Sequence, residues 1–148
     1  MKRHAIEILL VEDSPTDQLL AREALAEGRI PSRLHVVSDG VEAMAFLRGE
    51  GRYSSAPRPD LILLDLNLPK KGGREVLAEI KASETLKAIP VVILTTSESE
   101  QDVRHAYQLH ASCYVSKPVD FVAFRTAMQS IQDFWFSKAR LPGRATQR

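Results

Sequence analysis

Apolar residues in this chain fall mainly into five short runs, and each run ends in polar or turn-forming residues. The runs cover residues 6–11, 34–37, 61–64, 91–94 and 112–116. Short and nearly continuous apolar runs are typical of strands that are buried on both faces of a parallel sheet. The pattern therefore predicts five strands, and the third of them, 61–64, leads directly into Asp65.

Helix signals separate these runs. Ser14 and Pro15 suit the N-cap and the first position of a helix, and Gly28 suits its end. Further helices are predicted over residues 40–49, 74–83, 98–109 and 119–137. The second helix carries apolar residues at helical spacing, namely Val41, Met44, Ala45 and Leu47. The third directs an apolar face inward, formed by Val76, Leu77 and Ile80.

Strands that alternate with helices predict an α/β fold. We expect a doubly wound parallel sheet with helices on both faces and right-handed crossovers. Residues 1–138 should form one domain, and residues 139–148, which include Pro142 and Gly143, should form a C-terminal tail. The stretch 51–59, rich in Gly, Ser and Pro, is predicted to be an exposed loop.

Composition excludes several classes of function. The net charge of +1 in 148 residues gives no electrostatic case for nucleic acid or a membrane surface as partner. No apolar stretch approaches the roughly 20 residues that span a bilayer, and the start of the chain lacks a signal-peptide core. The single cysteine, Cys113, fits a reducing compartment and excludes both an internal disulfide and a cysteine-rich zinc site. We therefore expect a cytoplasmic protein.

Side chains that can bind a metal ion or an anion directly follow four of the five predicted strands. Glu12 and Asp13 follow the first, Asp65 the third, Thr95 the fourth and Lys117 the fifth. In an open α/β sheet these positions share one edge, where ligands bind. Carboxylates that converge there repel unless a cation neutralises them, and oxygen ligands without Cys or His favour Mg²⁺, with Mn²⁺ as a substitute. A hydroxyl and an ammonium group complete a site suited to a phosphoryl group.

Each of these residues also has a purely structural interpretation. Glu12 and Asp13 also fit the pattern of solvated acids at the start of a helix, and Asp65 is also compatible with a helix cap. Thr95 alone fits a strand-end hydroxyl, and Lys117 alone fits an exposed lysine. The combination of all five at the strand ends favours the functional interpretation.

Four motifs carry a resemblance to a known family. They are V-E-D at 11–13, D-L-N-L-P-K-K-G-G at 65–73, L-T-T-S at 94–97 and Y-V-S-K-P at 114–118. Together they resemble the receiver domain of two-component response regulators over residues 6–137. The resemblance implies the flavodoxin-like (βα)5 fold with strand order 2-1-3-4-5.

The resemblance also implies how the acids are used. Asp65 would be the phosphoacceptor, attacking the phosphorus of a phosphohistidine on a partner kinase. Asp13 and Asp65 would bind Mg²⁺ directly together with the backbone carbonyl of Asn67, and Glu12 would act mostly through water. The domain would not be an enzyme but a phosphoacceptor with weak autophosphatase activity.

Further roles are implied at the ends of the fourth and fifth strands. Lys117 would pair with the phosphoryl oxygens, and Thr95 would bond one of them. Tyr114 matches the aromatic residue whose rotamer responds to Thr95, although a plain packing role for Tyr114 stays open. The bond between Lys117 and Pro118 would be cis. Side chains beside the phosphoryl position would tune its lifetime, and these are Asn67, Thr96 and Ser97.

In finer detail the chain resembles regulators that are paired with phytochrome-type sensor kinases. Three stretches carry this, D-L-N-L-P-K-K-G-G-R-E-V-L, L-H-A-S-C-Y-V-S-K-P and F-W-F-S-K-A-R-L-P. Members of that group form homodimers through the last helix, which implies the same here. The cluster Phe134, Trp135 and Phe136 is too apolar to face only solvent, so we expect part of it at a subunit interface, unless it folds back onto the domain.

We expect a single-domain regulator that signals by phosphorylation-dependent docking. Three alternatives stay open. The first is an intermediate that passes the phosphoryl group onward in a multistep phosphorelay. The second is a Mg²⁺-dependent hydrolase with an aspartyl-phosphate intermediate, but such enzymes of the haloacid-dehalogenase type use an acid where this chain has Asn67. The third is an interaction module with a vestigial acid pocket.

Overall fold

The computed structural model describes residues 5–27, 31–66, 68, 70–95, 104, 113–116 and 121–133. Its strands are β1 (Ile6–Val11), β2 (Ser32–Val37), β3 (Leu61–Leu64), β4 (Val91–Thr95) and β5 (Cys113–Ser116). Its helices are α1 (Pro15–Ala26), α2 (Gly40–Arg48), α3 (Gly73–Ala82) and α4 (Phe121–Gln132), with a short 3-10 helix at Gly51–Tyr53. The predicted helix over 98–109 lies outside the described residues, apart from Arg104.

The strands form one parallel sheet in the order β2-β1-β3-β4-β5. In the centre, Val11 of β1 is level with Leu64 of β3, and Leu64 is level with Ile93 of β4. At the far edge, Thr95 is paired with Ser116 of β5. The predicted doubly wound sheet is therefore confirmed, and the carboxyl ends of its parallel strands lie along the same edge of the sheet.

Alternate residues of the strands feed two separate cores. On one face, Leu9 and Val11 pack with residues of α2 and α3, including Leu77 and Ile80. On the other face, Ile8 and Leu10 pack with residues of α1 and α4, including Ala24 and Met128. Because side chains alternate along a strand and both faces are covered, the central strands must be apolar throughout. Within the described ranges, every helix is too short or too polar to span a bilayer.

The predicted N-cap of α1 is confirmed, and α2 also has a side-chain cap. The Ser14 hydroxyl accepts a hydrogen bond from the backbone N–H of Asp17 at 3.3 Å, directly before Pro15 begins α1. The Asp39 carboxylate accepts one from the N–H of Glu42 at 2.8 Å and so begins α2. Gly49 ends α2 in the left-handed conformation with φ of 66°, which glycine adopts at little cost.

The core face of α2 differs from the predicted one. Val41 is 53% exposed, whereas Phe46, absent from the predicted stripe, is buried. The stripe begins one residue earlier, at Gly40, where the helix contacts the segment before α3 closely. A Cβ atom on Gly40 would lie 2.1 Å from the carbonyl oxygen of Lys71, so only glycine permits this approach.

Strand β2 begins two residues before the prediction because its polar start pairs with a buried acid. Glu7 on β1 is level with Arg33, and its carboxylate binds Arg33 at 3.2 Å and His35 at 2.7 Å. An edge strand tolerates such polar residues, which concealed its start in the hydrophobicity pattern. The loop predicted over 51–59 also contains the 3-10 helix, and Pro59 within it is buried.

The start of α3 generates a prediction about the stability of the fold. A Cβ atom on Gly73 would lie 2.4 Å from the carbonyl oxygen of Asp65 and 2.6 Å from the Cα of Leu66. Because both atoms belong to the backbone, the Gly73→Ala substitution should lower the free energy of unfolding by about 1 to 3 kcal/mol. The loss can be measured by urea denaturation.

The neighbouring Gly72 supplies a matched control. A Cβ atom on Gly72 would meet nothing within 4 Å, and the backbone there has φ of −69°, which any residue adopts. Gly72 is the N-cap of α3, where glycine is preferred to alanine, so Gly72→Ala should lower the free energy of unfolding by at most about 1 kcal/mol, which is less than the loss expected for Gly73→Ala. Equal stabilities of the two alanine variants would contradict the close contact at Gly73.

Candidate functional site

The pairing of β1 with β3 brings acids from two strand ends together. Glu12 and Asp13 directly follow β1, and Asp65 directly follows β3. The backbone N–H of Asp65 donates to the carbonyl oxygen of Val11 at 3.1 Å, which continues the ladder one step past the strands. The two acidic segments therefore leave the sheet side by side.

One carboxylate oxygen from each of Glu12, Asp13 and Asp65 lies within 4.8 Å of the other two. Glu12 is 2% exposed and Asp65 is 6% exposed, whereas Asp13 is an exposed residue. We call these three residues the acid cluster. It is buried on the side of the sheet and accessible to solvent at Asp13.

The backbone and side chain of Glu12 are held from three directions. Its N–H donates to the carbonyl oxygen of Val37 at 3.0 Å, which ties it to β2. Its carboxylate accepts from the N–H of Ser14 at 3.0 Å, at the start of α1. Its carbonyl oxygen accepts from the side-chain amide of Gln18 at 2.6 Å. The first acid of the cluster is thus positioned by β2 and by the first turn of α1.

The electrostatics of the cluster favour a bound cation. Two unit charges about 5 Å apart repel by roughly 3 kcal/mol at an effective dielectric constant of about 20. The acid cluster offers only carboxylate oxygens, which are hard ligands, and the described residues around it add no imidazole or thiolate. Exposure of Asp13 leaves room for the water ligands that Mg²⁺ retains. The donor set therefore fits Mg²⁺, as the sequence predicted.

Lys70 and Lys71, which follow Asp65 along the chain, form ion pairs with the residue that caps α2 and with α3. Lys70, which has a positive φ of 64°, places its ammonium 3.5 Å from the carboxylate of the buried Asp39. Lys71 forms a hydrogen-bonded ion pair with Glu79 of α3, and this bond holds the pKa of the Glu79 carboxyl below its usual value. Arg48 of α2 binds the other oxygen of Glu79 at 3.0 Å. None of these side chains was predicted from the sequence to support the site.

The remaining predicted site residues are located only in part. Thr95 ends β4 and pairs with Ser116, so the backbone of both strands ends at the edge that carries the acid cluster. For Thr95 and Tyr114 the structure describes the backbone alone. Several predicted site and interface residues lie outside the described residues, namely Asn67, Thr96, Ser97, Lys117, Pro118, Phe134, Trp135 and Phe136. The predicted cis bond between Lys117 and Pro118 therefore also lies outside them.

Comparison with known proteins connects this arrangement to a family. The family model of the response regulator receiver domain matches residues 8–129. The response regulator Rcp1 of Synechocystis is 52% identical over 135 residues, which are 91% of this chain and 92% of Rcp1. The probable methanogenesis regulatory protein FilR2 of Methanothrix harundinacea is 43% identical over 139 residues, which are 93% of this chain and 88% of FilR2.

Solved structures agree with the sequence comparison. The phosphorylated cyanobacterial phytochrome response regulator RcpA superposes with a TM-score of 0.91 at 53% identity, covering 94% of this chain and 99% of RcpA. The Mn²⁺-bound form of Rcp1 superposes with a TM-score of 0.88 at 51% identity, covering 93% of this chain and 99% of Rcp1.

Fold, acid cluster and sequence similarity lead to one assignment. The sheet order is the expected one, the acids converge at its carboxyl edge, and the similarity extends over most of the chain. The chain belongs to the response regulator receiver domain family.

Proposed function

We propose that Asp65 accepts a phosphoryl group from the phosphohistidine of a sensor histidine kinase. The observation that carries this proposal is the acid cluster, in which the buried Asp65 lies within 4.8 Å of two further carboxylates at the sheet edge. Burying a charged aspartate costs free energy unless other groups compensate its charge. The donor set around Asp65 fits a divalent cation that would do so. The homology to regulators with phosphorylated and metal-bound structures supports the same role.

In the transfer step, a carboxylate oxygen of Asp65 forms a bond to phosphorus while the bond between phosphorus and the histidine nitrogen breaks. The imidazole leaves with the electron pair of that bond. Phosphoryl transfer of this kind depends on in-line positioning and charge stabilisation more than on covalent help from the protein. Asp65 is suited to in-line attack because β3 and the bond to Val11 fix its backbone.

Mg²⁺, when bound, neutralises the charge that develops on the phosphoryl oxygens. We assign Asp13 and Asp65 as its direct ligands with the carbonyl oxygen of Asn67, and we assign Glu12 as a ligand through water. Glu12 suits the indirect role because its carboxylate already accepts a hydrogen bond from the N–H of Ser14. Mn²⁺ should substitute, since it accepts the same hard ligands.

Signal output would result from a conformational change of residues at the ends of β4 and β5. In this proposal Lys117 pairs with the phosphoryl oxygens and Thr95 bonds one of them, which biases Tyr114 between two arrangements. The register supports the coupling, because Thr95 pairs with Ser116 and Ile93 pairs with Tyr114. Water then hydrolyses the acyl phosphate, which gives the domain a weak autophosphatase activity. Asn67, Thr96 and Ser97 tune the phosphoryl lifetime.

We further propose a phytochrome-type kinase as the partner. The support is the 53% identity to RcpA, a phytochrome response regulator, over nearly the whole of both chains. The signal is then passed on by docking of the phosphorylated domain in the cytoplasm.

We also propose a receiver boundary at residue 138 and a homodimer through the last helix, with Phe134, Trp135 and Phe136 at the interface. The apolar composition of that cluster supports the interface.

The acceptor role predicts a covalent change that mass spectrometry detects. Incubation with acetyl phosphate and Mg²⁺ should add about 80 Da to the intact chain, the mass of one phosphoryl group. The gain should disappear in Asp65→Asn, which keeps the shape of the side chain but lacks the nucleophilic carboxylate. Removal of Mg²⁺ with EDTA should also abolish it.

Two outcomes would contradict the acceptor role of Asp65. One is an equal mass gain in wild type and Asp65→Asn, which would place the phosphoryl group elsewhere. The other is rapid turnover of a small phosphate ester by wild type, which would favour the hydrolase. Asp60→Asn is the matched control, since Asp60 lies before β3 and binds the N–H of Glu7 at 2.9 Å, at the opposite end of the strand.

The dimer predicts a change in sedimentation. Wild type should sediment as a dimer, and Trp135→Ala and Phe136→Ala should shift it toward the monomer because each removes a large apolar contact. Leu19→Ala on α1 is the control, since that side chain is 54% exposed on a different helix. Monomers throughout, at concentrations well above those in the cell, would end the proposal.

A further inference from the structure

The side chain of Gln18 connects three segments beside the acid cluster. Its amide nitrogen donates to the carbonyl oxygen of Glu12 at 2.6 Å and lies 3.4 Å from the hydroxyl of Ser38. Gln18 itself is in the first turn of α1, where its backbone N–H donates to the carbonyl oxygen of Ser14 at 2.9 Å. The contact therefore joins α1 to the end of β1 and to the segment between β2 and α2.

The carbonyl oxygen that Gln18 binds belongs to the peptide between Glu12 and Asp13. The orientation of a peptide plane sets the direction in which the next residue projects its side chain. Asp13 is exposed, so packing around its side chain restrains it little. The hydrogen bond from Gln18 thus acts on the one acid of the cluster that burial does not position.

The base of the Gln18 side chain is itself rigid. The Ser14 cap and Pro15 fix the first turn of α1, and Gln18 is half-buried rather than free in solvent. A donor on a fixed helical turn restrains its acceptor more than a donor on a loop does. The arrangement is that of an outer residue that orients a ligand, and such partners of metal ligands affect affinity strongly.

We propose that Gln18 is a positioning residue for the cation site, holding the peptide of Glu12 and Asp13 so that Asp13 meets the geometry that Mg²⁺ requires. This inference rests on the proposed function, in which Asp13 and Asp65 bind the cation. Mg²⁺ demands nearly ideal octahedral geometry, whereas Ca²⁺ accepts flexible and irregular coordination. Loss of the Gln18 hydrogen bond should therefore weaken binding of Mg²⁺ more than binding of Ca²⁺.

The test compares cation affinities by isothermal titration calorimetry, without kinase or acetyl phosphate. Gln18→Met keeps the length of the side chain and its apolar contacts but donates no hydrogen bond. The Kd for Mg²⁺ should rise on the order of tenfold, and the Kd for Ca²⁺ should rise less, so that their ratio shifts. Gln129→Met on α4 makes the same chemical change away from the acid cluster and should leave both constants unchanged.

The outcomes separate this inference from the proposed function. If Gln18→Met binds both ions like wild type while Asp65→Asn loses Mg²⁺ affinity, Gln18 does not position the site and the proposed function stands. If wild type binds no Mg²⁺, or Asp65→Asn binds it equally well, the proposed function itself fails. If Gln18→Met weakens Mg²⁺ and Ca²⁺ by the same factor, the residue acts on general stability and the positioning role is overturned. Circular dichroism at the titration temperature confirms that each variant is folded.

Discussion

The parallel pairing of β1 with β3 is the interaction on which the rest of this structure depends. Its register places Val11 level with Leu64, and the bond from the N–H of Asp65 to Val11 extends the ladder into the site. Both strands are buried on two faces, so a slip of one residue would direct the core side chains of each strand to the wrong face. The hydrophobic cores therefore fix the separation of the acids at the strand ends. Packing on both sides of the sheet sets the geometry of the site.

Two buried carboxylates at one sheet edge oppose folding unless their charges are compensated. Glu12 is compensated in part by the N–H of Ser14, at the positive end of α1. A divalent cation would offset the remaining repulsion, and this links cation binding to the stability of the edge. The same concentration of negative charge that costs stability in the absence of a cation is what makes the site suited to phosphoryl chemistry. Stability and function are therefore in opposition at this edge, as at many active sites.

The residues after Asp65 show how its carboxylate is kept in place. Gly40 lets α2 approach the backbone of Lys71, and Gly73 lets α3 begin against the backbone of Asp65. The ion pairs of Lys70 with Asp39 and of Lys71 with Glu79 connect these two lysines to the start of α2 and to α3. Exposed ion pairs alone contribute little stability. Their effect here is to orient Lys70 and Lys71 beside backbone that the two glycine contacts already confine.

The sequence by itself determined the sheet, most helix boundaries and the convergence of Glu12, Asp13 and Asp65. Those features follow from local signals, because apolar runs, caps and strand-end acids are each contained within a few neighbouring residues. Tertiary structure alone decided which residues support the site. Gln18 binds Glu12, and Lys70 binds Asp39, and in each case the two residues belong to different parts of the fold. The spacing of residues within one helix or strand does not predict such contacts. The predicted core face of α2 was wrong at Val41 for the same reason. The close approach at Gly40 depends on Lys71, which lies about 30 residues further along the chain.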